Sequence, residues 1–241
     1  MRVGAEPTIP TDGRTPRKNF GSSDPWVAKF ADQPTANKPT WAQQFGSANL
    51  DFTEDAVADP NGNIVLTGVT GGAISGTNKG GDDLWLAKVS STGKVLWKRQ
   101  WGTDDDDEGR AIATDSNGNV FVAGRIRVSS IVSTDYFTTI LKYSPAGNLL
   151  WRKQFEIALE GAIGLTVDRN GNAFLVGRTS RVTDPGDNYI AKFNPNGTQE
   201  WLKYFSFSGS AQATDIAVDS RGNLLVTGNT SDSLGGTNKG G

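Results

Sequence analysis

The sequence lacks the two side chains on which many enzymes and metal sites depend, because its 241 residues include no cysteine and no histidine. Their absence excludes a Ser-His-Asp or Cys-His nucleophile, a zinc site with the usual nitrogen and sulfur ligands, a haem held by histidine and any disulfide. An enzyme built from this chain would have to use carboxylates, lysine, tyrosine or a bound cofactor. Missing cysteine is compatible with an extracellular protein and with a cytosolic one.

An excess of charge of one sign and long apolar runs are missing as well. The chain has 24 basic and 26 acidic side chains, for a net charge of -2. This balance argues against a nucleic-acid partner, and no segment approaches the roughly 18 apolar residues of a membrane helix, so we expect no membrane insertion. Residues 1–22 carry prolines and charges without the apolar segment of a signal peptide, and we expect a flexible N-terminal arm there.

Glycine is plentiful, with 30 residues, and it recurs at regular intervals. An Asp-x-x-Gly-Asn turn begins at four aspartates spaced 56, 53 and 51 residues apart: Asp59, Asp115, Asp168 and Asp219. A lysine is followed nine residues later by tryptophan in Lys88–Trp97, Lys142–Trp151 and Lys192–Trp201, and twelve residues later in Lys29–Trp41. A period of about 50 residues indicates a repeat architecture.

Each repeat divides into four short segments of strand character separated by turn signals. In one unit the predicted strands are 110–115, 119–125, 137–144 and 148–155. Aspartate at the first position of a type I turn and glycine at the fourth explain the connecting turns, and no segment has the pattern of a long amphipathic helix. Four-stranded antiparallel units of this length are typical of β-propeller blades, with a β-sandwich or a solenoid as the alternative. The fold class predicted is therefore all-β.

The two ends of the repeat region complement each other. Residues 236–241, GTNKGG, copy residues 76–81, and the copy at 76–81 continues into DDLWLAK, which resembles SDPWVAK at 23–29. The propeller is thus expected over residues 23–241, in units of about 23–50, 51–106, 107–158, 159–209 and 210–241. Pairing the strands within 25–46 with those within 211–230 would close a ring of four blade equivalents. The alternative is a fragment of a larger propeller, or chains that associate to complete one.

Several of these motifs resemble a known family, the bacterial seven-bladed β-propeller repeat (SBBP). They are W-x-x-x-x-G-[ST] at 41–47 and 97–103, T-G-x-T at 67–70 and 227–230, GDDLWLAK at 81–88, and the Asp-x-x-Gly-Asn turns. The resemblance covers about residues 21–241 and implies a propeller, secreted or on the bacterial surface, without assigned catalysis. Four units instead of seven, and FEIALEG at 155–161 in place of the usual junction, depart from the family pattern.

Acidic side chains supply the candidate metal site. The run of acids at 104–108 could bind a hard cation such as Ca²⁺, although a solvated loop between blades is the simpler interpretation. Eight residues before each turn aspartate lie Asp51, Asp107, Glu160 and Ala211. Three of the four units thus place a carboxylate near the start of the innermost strand. We expect Asp51, Asp107 and Glu160 to face the ring axis, where they could hold a cation or a polar ligand.

The recurring tryptophans and lysines have structural interpretations. The tryptophans at 41, 97, 151 and 201 are predicted to pack blade against blade instead of stacking on sugars. The lysines at 29, 88, 142 and 192 are predicted to extend past their strands into solvent.

Together these features predict a non-catalytic binding or structural module without a cofactor, for a protein partner or a surface glycan, outside the cell or on its surface. Specificity is expected on the face with the most variable connections. The alternative is a carboxylate-based glycoside hydrolase, with Asp51, Asp107, Glu160 and Glu54 as candidates. A monomer and a ring-completing homo-oligomer both remain open.

Overall fold

The computed structural model describes residues 21, 23–32, 38–129, 134–155, 161–179, 188–207 and 211–231. The predicted N-terminal arm, 1–22, lies outside these residues apart from Gly21, and Glu160 is outside them too. None of the described residues forms a helix long and apolar enough to cross a membrane.

The described residues form sixteen strands in five antiparallel sheets. Three sheets have four strands, in the simple order predicted for propeller blades, and we call them blades A, B and C. Blade A contains β3 (Asp51–Ala58), β4 (Ile64–Thr70), β5 (Asp83–Val89) and β6 (Val95–Trp101). Blade B contains β7 (Asp107–Thr114), β8 (Val120–Ser129), β9 (Thr134–Tyr143) and β10 (Leu149–Phe155). Blade C contains β11 (Ala162–Val167), β12 (Ala173–Arg178), β13 (Asn188–Phe193) and β14 (Gln199–Phe205).

Two further sheets have two strands each and flank the three blades. The N-terminal half-blade is β1 (Trp26–Lys29) with β2 (Trp41–Gln44), and the C-terminal half-blade is β15 (Ala211–Val218) with β16 (Leu224–Thr230). The all-β architecture of four-stranded antiparallel units is therefore confirmed.

The predicted pairing between the two half-blades is not formed in this structure, where they are separate sheets. Each half-blade is instead held by the complete blade beside it. Trp41 and Phe45 pack into one cluster with Trp85 of blade A, and Ala213 and Ile216 pack against blade C. These local interfaces bury apolar surface whether or not a ring closes, so the arc of blades can form without closure.

The hydrophobic core lies between consecutive sheets. Leu84 and Leu86 of blade A meet Val120 and Leu141 of blade B, and a second cluster joins blades B and C around Phe121. Since both faces of a middle blade are covered, its central strands are apolar on both sides, and all seven residues of β5 are buried. Blade-to-blade packing is thus the main apolar contact in the described chain.

Candidate functional site

The two ends of each blade differ in what they carry. At one end are the tight turns that join strands one and two and strands three and four, which we call the hairpin face. At the other end are the connections from strand two to three and from one blade to the next, which we call the loop face. Asp51 and Asp107 of the predicted site lie at the loop face, where β3 and β7 begin. The recurring turn aspartates lie at the hairpin face.

On the hairpin face the carboxylate of each turn aspartate accepts hydrogen bonds from residues of its own turn. Asp59 Oδ1 accepts hydrogen bonds from the backbone N–H groups of Asn61 and Asn63, both at 2.9 Å, and Oδ2 accepts from Asn63 Nδ2 at 2.9 Å. Asp115, Asp168 and Asp219 repeat this set of three bonds. The carboxylate supplies acceptors for the backbone N–H groups of the turn, so these residues form hairpins as predicted.

The prediction that the lysines extend into solvent is wrong for two of them. Lys88 is 2% exposed, and its Nζ lies 2.8 Å from Asp59 Oδ2 and 3.3 Å from the carbonyl oxygen of Pro145 in blade B. Lys142 is buried as well and donates to Pro195 O of blade C at 3.1 Å. A buried ammonium group needs such acceptors, and here the next blade supplies a proline carbonyl to each lysine.

The tryptophan of strand four reaches the same carbonyl as this lysine. Trp97 Nε1 donates to Pro145 O at 3.0 Å, and Trp151 Nε1 donates to Pro195 O at 3.0 Å. In the N-terminal half-blade both Lys29 Nζ and Trp41 Nε1 donate to Ser91 O, at 3.3 and 3.1 Å. We call this set of two donors and one carbonyl the Lys–Trp clamp. The structure thus places these tryptophans at blade-to-blade contacts, as predicted.

On the loop face Asp51 organises the segment that enters blade A. It is 1% exposed, and its Oδ2 accepts from the backbone N–H of Ser47 at 2.6 Å. The Ser47 hydroxyl also donates to the carboxylate at 3.0 Å, and the Thr70 hydroxyl donates to Oδ1. The G-[ST] element of the repeat is therefore the partner of an aspartate four residues later.

Asp107 holds the equivalent segment that enters blade B. It is fully buried, and its Oδ2 accepts from the backbone N–H and the hydroxyl of Thr103. Burial raises the pKa of Asp107 to about 7, against the lowering effect of the Thr103 hydrogen bonds, and the neighbouring Asp83 and Asp105 add to the rise. A buried carboxyl with such a pKa can change its charge near neutral pH.

These contacts bear on the cation predicted at the ring axis. Asp51 and Asp107 are each engaged by their own entering segment, Glu160 lies outside the described residues, and Ala211 contributes no carboxylate. Within the described ranges no group of three or more acidic side chains is arranged to hold a metal ion. The cation therefore stays a prediction.

The acidic run at 104–108 lies against an arginine-bearing strand that the sequence interpretation missed. Arg127 Nη1 of β8 lies 2.8 Å from Asp106 Oδ2, and Arg125 pairs with Glu108. The backbone N–H of Ser129 donates to Asp105 Oδ2 at 2.6 Å. The sequence signal for these ion pairs was the spacing of Arg125 and Arg127, two residues apart on the strand that follows the acids. On antiparallel strands such a spacing predicts that opposite charges lie across from each other.

Three of the four glycosidase candidates, Asp51, Asp107 and Glu54, lie in the described residues, and Glu160 lies outside them. Asp51 and Asp107 are buried, whereas Glu54 is exposed on β3. A glycosidase needs two carboxyl groups that flank an accessible bond, and neither buried aspartate is accessible to a substrate in this structure.

Two curated relatives are much longer than this chain. The chain is 24% identical over 189 residues to an uncharacterized WD repeat-containing protein, L264, of Acanthamoeba polyphaga mimivirus, covering 58% of this chain and 14% of that protein. It is 27% identical over 177 residues to the regulatory protein FlaEY of Caulobacter vibrioides, covering 62% of this chain and 18% of that protein. The chain therefore spans less than a fifth of the length of either relative.

A solved structure and a family model complete the comparison. The WD40 domain of Neurospora crassa Pan2 aligns over 78% of this chain and 92% of that chain, at 12% identity and a TM-score of 0.23. The model of the SBBP family, described as a beta-propeller repeat, matches residues 96–128 and 200–235. These segments cover the junctions that leave blades A and C, with their outer strands and the inner strands that follow. The chain thus carries SBBP beta-propeller repeats at these two segments, within a fold of four-stranded antiparallel blades.

Proposed function

We propose that this chain is a non-catalytic module that binds a protein partner on its loop face. The observation that carries the proposal is the contrast between the two faces. On the hairpin face the same turns and the same Lys–Trp clamp recur, whereas on the loop face the connections between strands two and three differ in length: 71–82, 130–133 and 179–187. A rigid frame below dissimilar loops is the usual arrangement of a binding scaffold.

The described loop of blade A is held rigidly while it presents exposed side chains. Gln100 fixes it, with Oε1 accepting from the N–H of Ile74 at 2.9 Å and Nε2 donating to Gly72 O at 2.8 Å. Ile74 is buried in the core, yet Thr77 and Lys79 are exposed. A loop ordered before binding loses less conformational entropy on association, which supports a recognition role.

The hairpin of blade B extends this face. Its strands β8 and β9 have 10 residues each, whereas the equivalent strands of blade C have 6. The pairing continues to Ser129 opposite Thr134, and Val128 is exposed there. The extended β8–β9 hairpin, whose backbone is paired, therefore offers a partner protein an ordered surface beside the loop of blade A.

The WD-repeat and propeller relatives support a protein partner over a surface glycan, and an extracellular or cell-surface location stays part of the proposal.

The test uses a photo-crosslinking amino acid in place of Thr77 on the loop face, with the same substitution at Thr92 on the hairpin face as the matched control. Both positions are exposed on blade A. We expect a defined cross-linked protein, identified by mass spectrometry from the source cells, only with the Thr77 substitution. Equal cross-linking from both faces, or binding on a glycan array alone, would contradict a protein site on the loop face.

We further propose that the two half-blades combine into one four-stranded blade, the composite blade, in which β16 pairs with β1. Trp26 is 68% exposed and Leu225 is 58% exposed, whereas their repeat equivalents in blade A, Trp85 and Val65, are fully buried. In blade A, strand two pairs with strand three so that Gly68 lies opposite Trp85. The same register would set Gly228 of β16 opposite Trp26 of β1. Such pairing, within one chain or between chains, would bury both side chains.

A further inference from the structure

Two side chains of blade A, Gln100 and Asp83, hold the loop between strands two and three. Gln100 Oε1 accepts from the N–H groups of Ile74 and Ser75, at 2.9 and 3.1 Å. Gln100 Nε2 donates to Gly72 O at 2.8 Å and to Asp83 Oδ2 at 2.7 Å. Because a carboxylate only accepts hydrogen bonds, Asp83 fixes the orientation of the amide. We call this pair of side chains a loop anchor.

The N-terminal half-blade has a loop anchor of the same geometry. Gln44 lies opposite Trp26 across β1 and β2, as Gln100 lies opposite Trp85 across β5 and β6. Gln44 Nε2 donates to Asp24 Oδ2 at 2.7 Å, the distance found in blade A. No residue of the described ranges donates to Gln44 Oε1. The half-blade therefore offers the same acceptor as blade A, and the described chain does not use it.

The loop anchor is not common to all repeats. Blade B has Gln154 at the equivalent position, but Phe137 stands where blade A has the aspartate, and blade C has Tyr204 in place of the glutamine. The segment GTNKGG has the same distribution as the anchor, because it occurs at 76–81 in the loop of blade A and again at 236–241. The anchor is thus matched to a particular loop sequence and is not part of the general blade.

The C-terminal segment aligns with the anchored loop without a gap. Thr230 pairs with the first residue of β15, as Thr70 pairs with the first residue of β3. Counting on from these two threonines, Leu234 corresponds to Ile74, and GTNKGG falls at the same place in both segments. Leu234 and Gly235 can therefore supply the two N–H groups that a loop anchor accepts, together with an apolar side chain like that of Ile74.

An apolar groove lies beside the anchor of the N-terminal half-blade. It has a volume of about 400 Å³, and Trp26, Ala28, Phe30 and Ala42 line it together with the anchor. Trp26 is 68% exposed and Phe30 is 54% exposed. On the equivalent face of blade A, Ile74 packs into one cluster with Trp85 and Ala87. The groove is the counterpart of the surface that Ile74 helps to cover.

We propose that this groove and its loop anchor bind residues 232–238 of the same chain, as blade A binds residues 72–78. Leu234 enters the groove, and the N–H groups of Leu234 and Gly235 donate to Gln44 Oε1. Gln44 Nε2 donates to the carbonyl oxygen of Asp232. The inference rests on the composite blade, because pairing of β16 with β1 brings the start of this segment beside the groove.

An electrostatic contact favours the chain's own segment over that of a second copy. Burial raises the pKa of Asp55, hydrogen bonds from the N–H groups of Ile112 and Ala56 oppose the rise, and the charge of Asp215 adds to it. Asp55 lies on β3, directly after the N-terminal half-blade, and Asp215 lies on β15. Because the effect of a charge falls with distance, the C-terminal half-blade approaches the N-terminal end of the arc within one chain.

The N-terminal arm is the other segment that could reach the groove. Gly21 packs on the segment that enters blade A as closely as Gly80 packs on the segment that enters blade B. Counting back from this equivalence, Pro16 stands at the place of Ser75. Proline has no N–H to donate to the anchor, so the C-terminal segment fits better. Since Gly21 takes the place of Gly80, the proposed segment stops at residue 238.

Hydrogen exchange followed by mass spectrometry tests the proposal on the full chain. We expect Gln44→Ala to speed amide exchange in residues 232–238 at least about tenfold, because it removes the acceptor of two N–H groups. Gln154→Ala is the matched control at the same strand position of blade B, where no anchor aspartate is present, and it should leave this exchange unchanged. Gln100→Ala calibrates the effect, because it should speed exchange in residues 72–78.

Leu234→Asp keeps the test decisive if Gln44→Ala folds poorly, because residue 234 lies outside the five described sheets. A charge in the apolar groove should speed exchange in residues 232–238 as Gln44→Ala does. Rapid exchange of this segment in the unsubstituted chain would overturn the proposal. If β16 were protected at the same time, the composite blade would stand without the docked segment, whereas rapid exchange of β16 as well would contradict both.

Two further results would assign the groove to another occupant and so overturn the proposal. Protection of residues 232–238 that increases with protein concentration would mean that the segment comes from a second copy. Protection of residues 11–20 that Gln44→Ala removes, with residues 232–238 unprotected, would mean that the N-terminal arm fills the groove.

Discussion

Aspartate and lysine side chains at equivalent positions of the repeat differ in burial and in their partners. Burial acts to raise the pKa of Asp59, but hydrogen bonds from Lys88 and Asn63 outweigh it, so its pKa lies below the usual value. Its carboxylate therefore contributes stability above about pH 4 that is lost as the pH falls further. Lys142 is held less tightly, 3.9 Å from Asp115, and burial lowers its pKa. Lys29 is exposed.

These differences in burial predict that replacing lysine by methionine has unequal effects at equivalent positions. Lys88→Met removes a buried cation and leaves Asp59 with turn donors only, so we expect a loss of about 3 kcal/mol in the free energy of unfolding. The control Lys29→Met, at an exposed repeat equivalent, should change it by less than about 0.5 kcal/mol. Urea denaturation measures both. Adding Asp59→Asn to Lys88→Met should restore part of the loss, and equal effects of the two lysine substitutions would refute the buried role of Lys88.

The residue-scale predictions succeeded where the partners are local in sequence. The Asp-x-x-Gly-Asn turn is complete within five residues, so Asp59 could be placed from the sequence. The burial of Lys88 could not, because its acceptor, the Pro145 carbonyl, lies 57 residues away in the next blade. Likewise, nothing local to Asp107 shows that Asp83 approaches it.

Among the elements, the hairpin of strands three and four explains the nine-residue spacing from lysine to tryptophan. Strand four has a bulge before the tryptophan, and the pairing then resumes with Trp97 opposite Lys88 and Trp201 opposite Lys192. The bulge aims both donors at one carbonyl of the neighbouring blade. It also turns Leu96 outward to solvent, which a strict period of two does not predict.

The glycine of each such hairpin is where the neighbouring tryptophan packs. Gly147 has φ of +80°, and a Cβ atom there would lie 2.8 Å from Trp97 Cδ2. Gly118, in the other turn of blade B, has φ of +77°, but its nearest neighbour would be 3.7 Å away. An alanine would meet the same backbone strain at both positions, but only at position 147 would it also clash with a tryptophan.

We therefore expect Gly147→Ala to lower the free energy of unfolding by about 2–4 kcal/mol, through strain plus a displaced tryptophan. Gly118→Ala should cost only about 1–2 kcal/mol. Thermal unfolding followed by tryptophan fluorescence reports both stability and the environment of Trp97. If the two variants were equally destabilised, contact with Trp97 would not be the reason for glycine at 147.

At the scale of the whole molecule, the repeat period was sufficient to predict blades, because each blade buries its faces on its neighbours. Closure was not predictable in the same way. It depends on the angle between successive blades, summed around the ring, and no residue pattern encodes that sum. The half-blades that close the ring in the sequence interpretation accordingly remain apart in the structure, with Trp26 and Leu225 exposed.

The proposed composite blade can be tested with disulfides, because the chain has no cysteine of its own. The register of Thr67 opposite Leu86 in blade A translates to Thr227 opposite Val27. We expect the pair Thr227→Cys and Val27→Cys to oxidise readily, and the off-register pair Thr227→Cys and Lys29→Cys to oxidise poorly. On a non-reducing gel a cross-linked monomer indicates closure within one chain, and a cross-linked dimer indicates a larger ring. Absence of either product would contradict the composite blade.

The Lys–Trp clamp also gives the arc of blades a direction. In every clamp the two donors belong to one blade and the accepting carbonyl to the blade that follows it in the chain. The equivalent donor positions at the end of the arc are Lys192 and Trp201 of blade C. Two copies joined head to head by a two-fold axis would set donors against donors. Growth by further repeats, in the same chain or in another, is compatible with this chemistry only from head to tail.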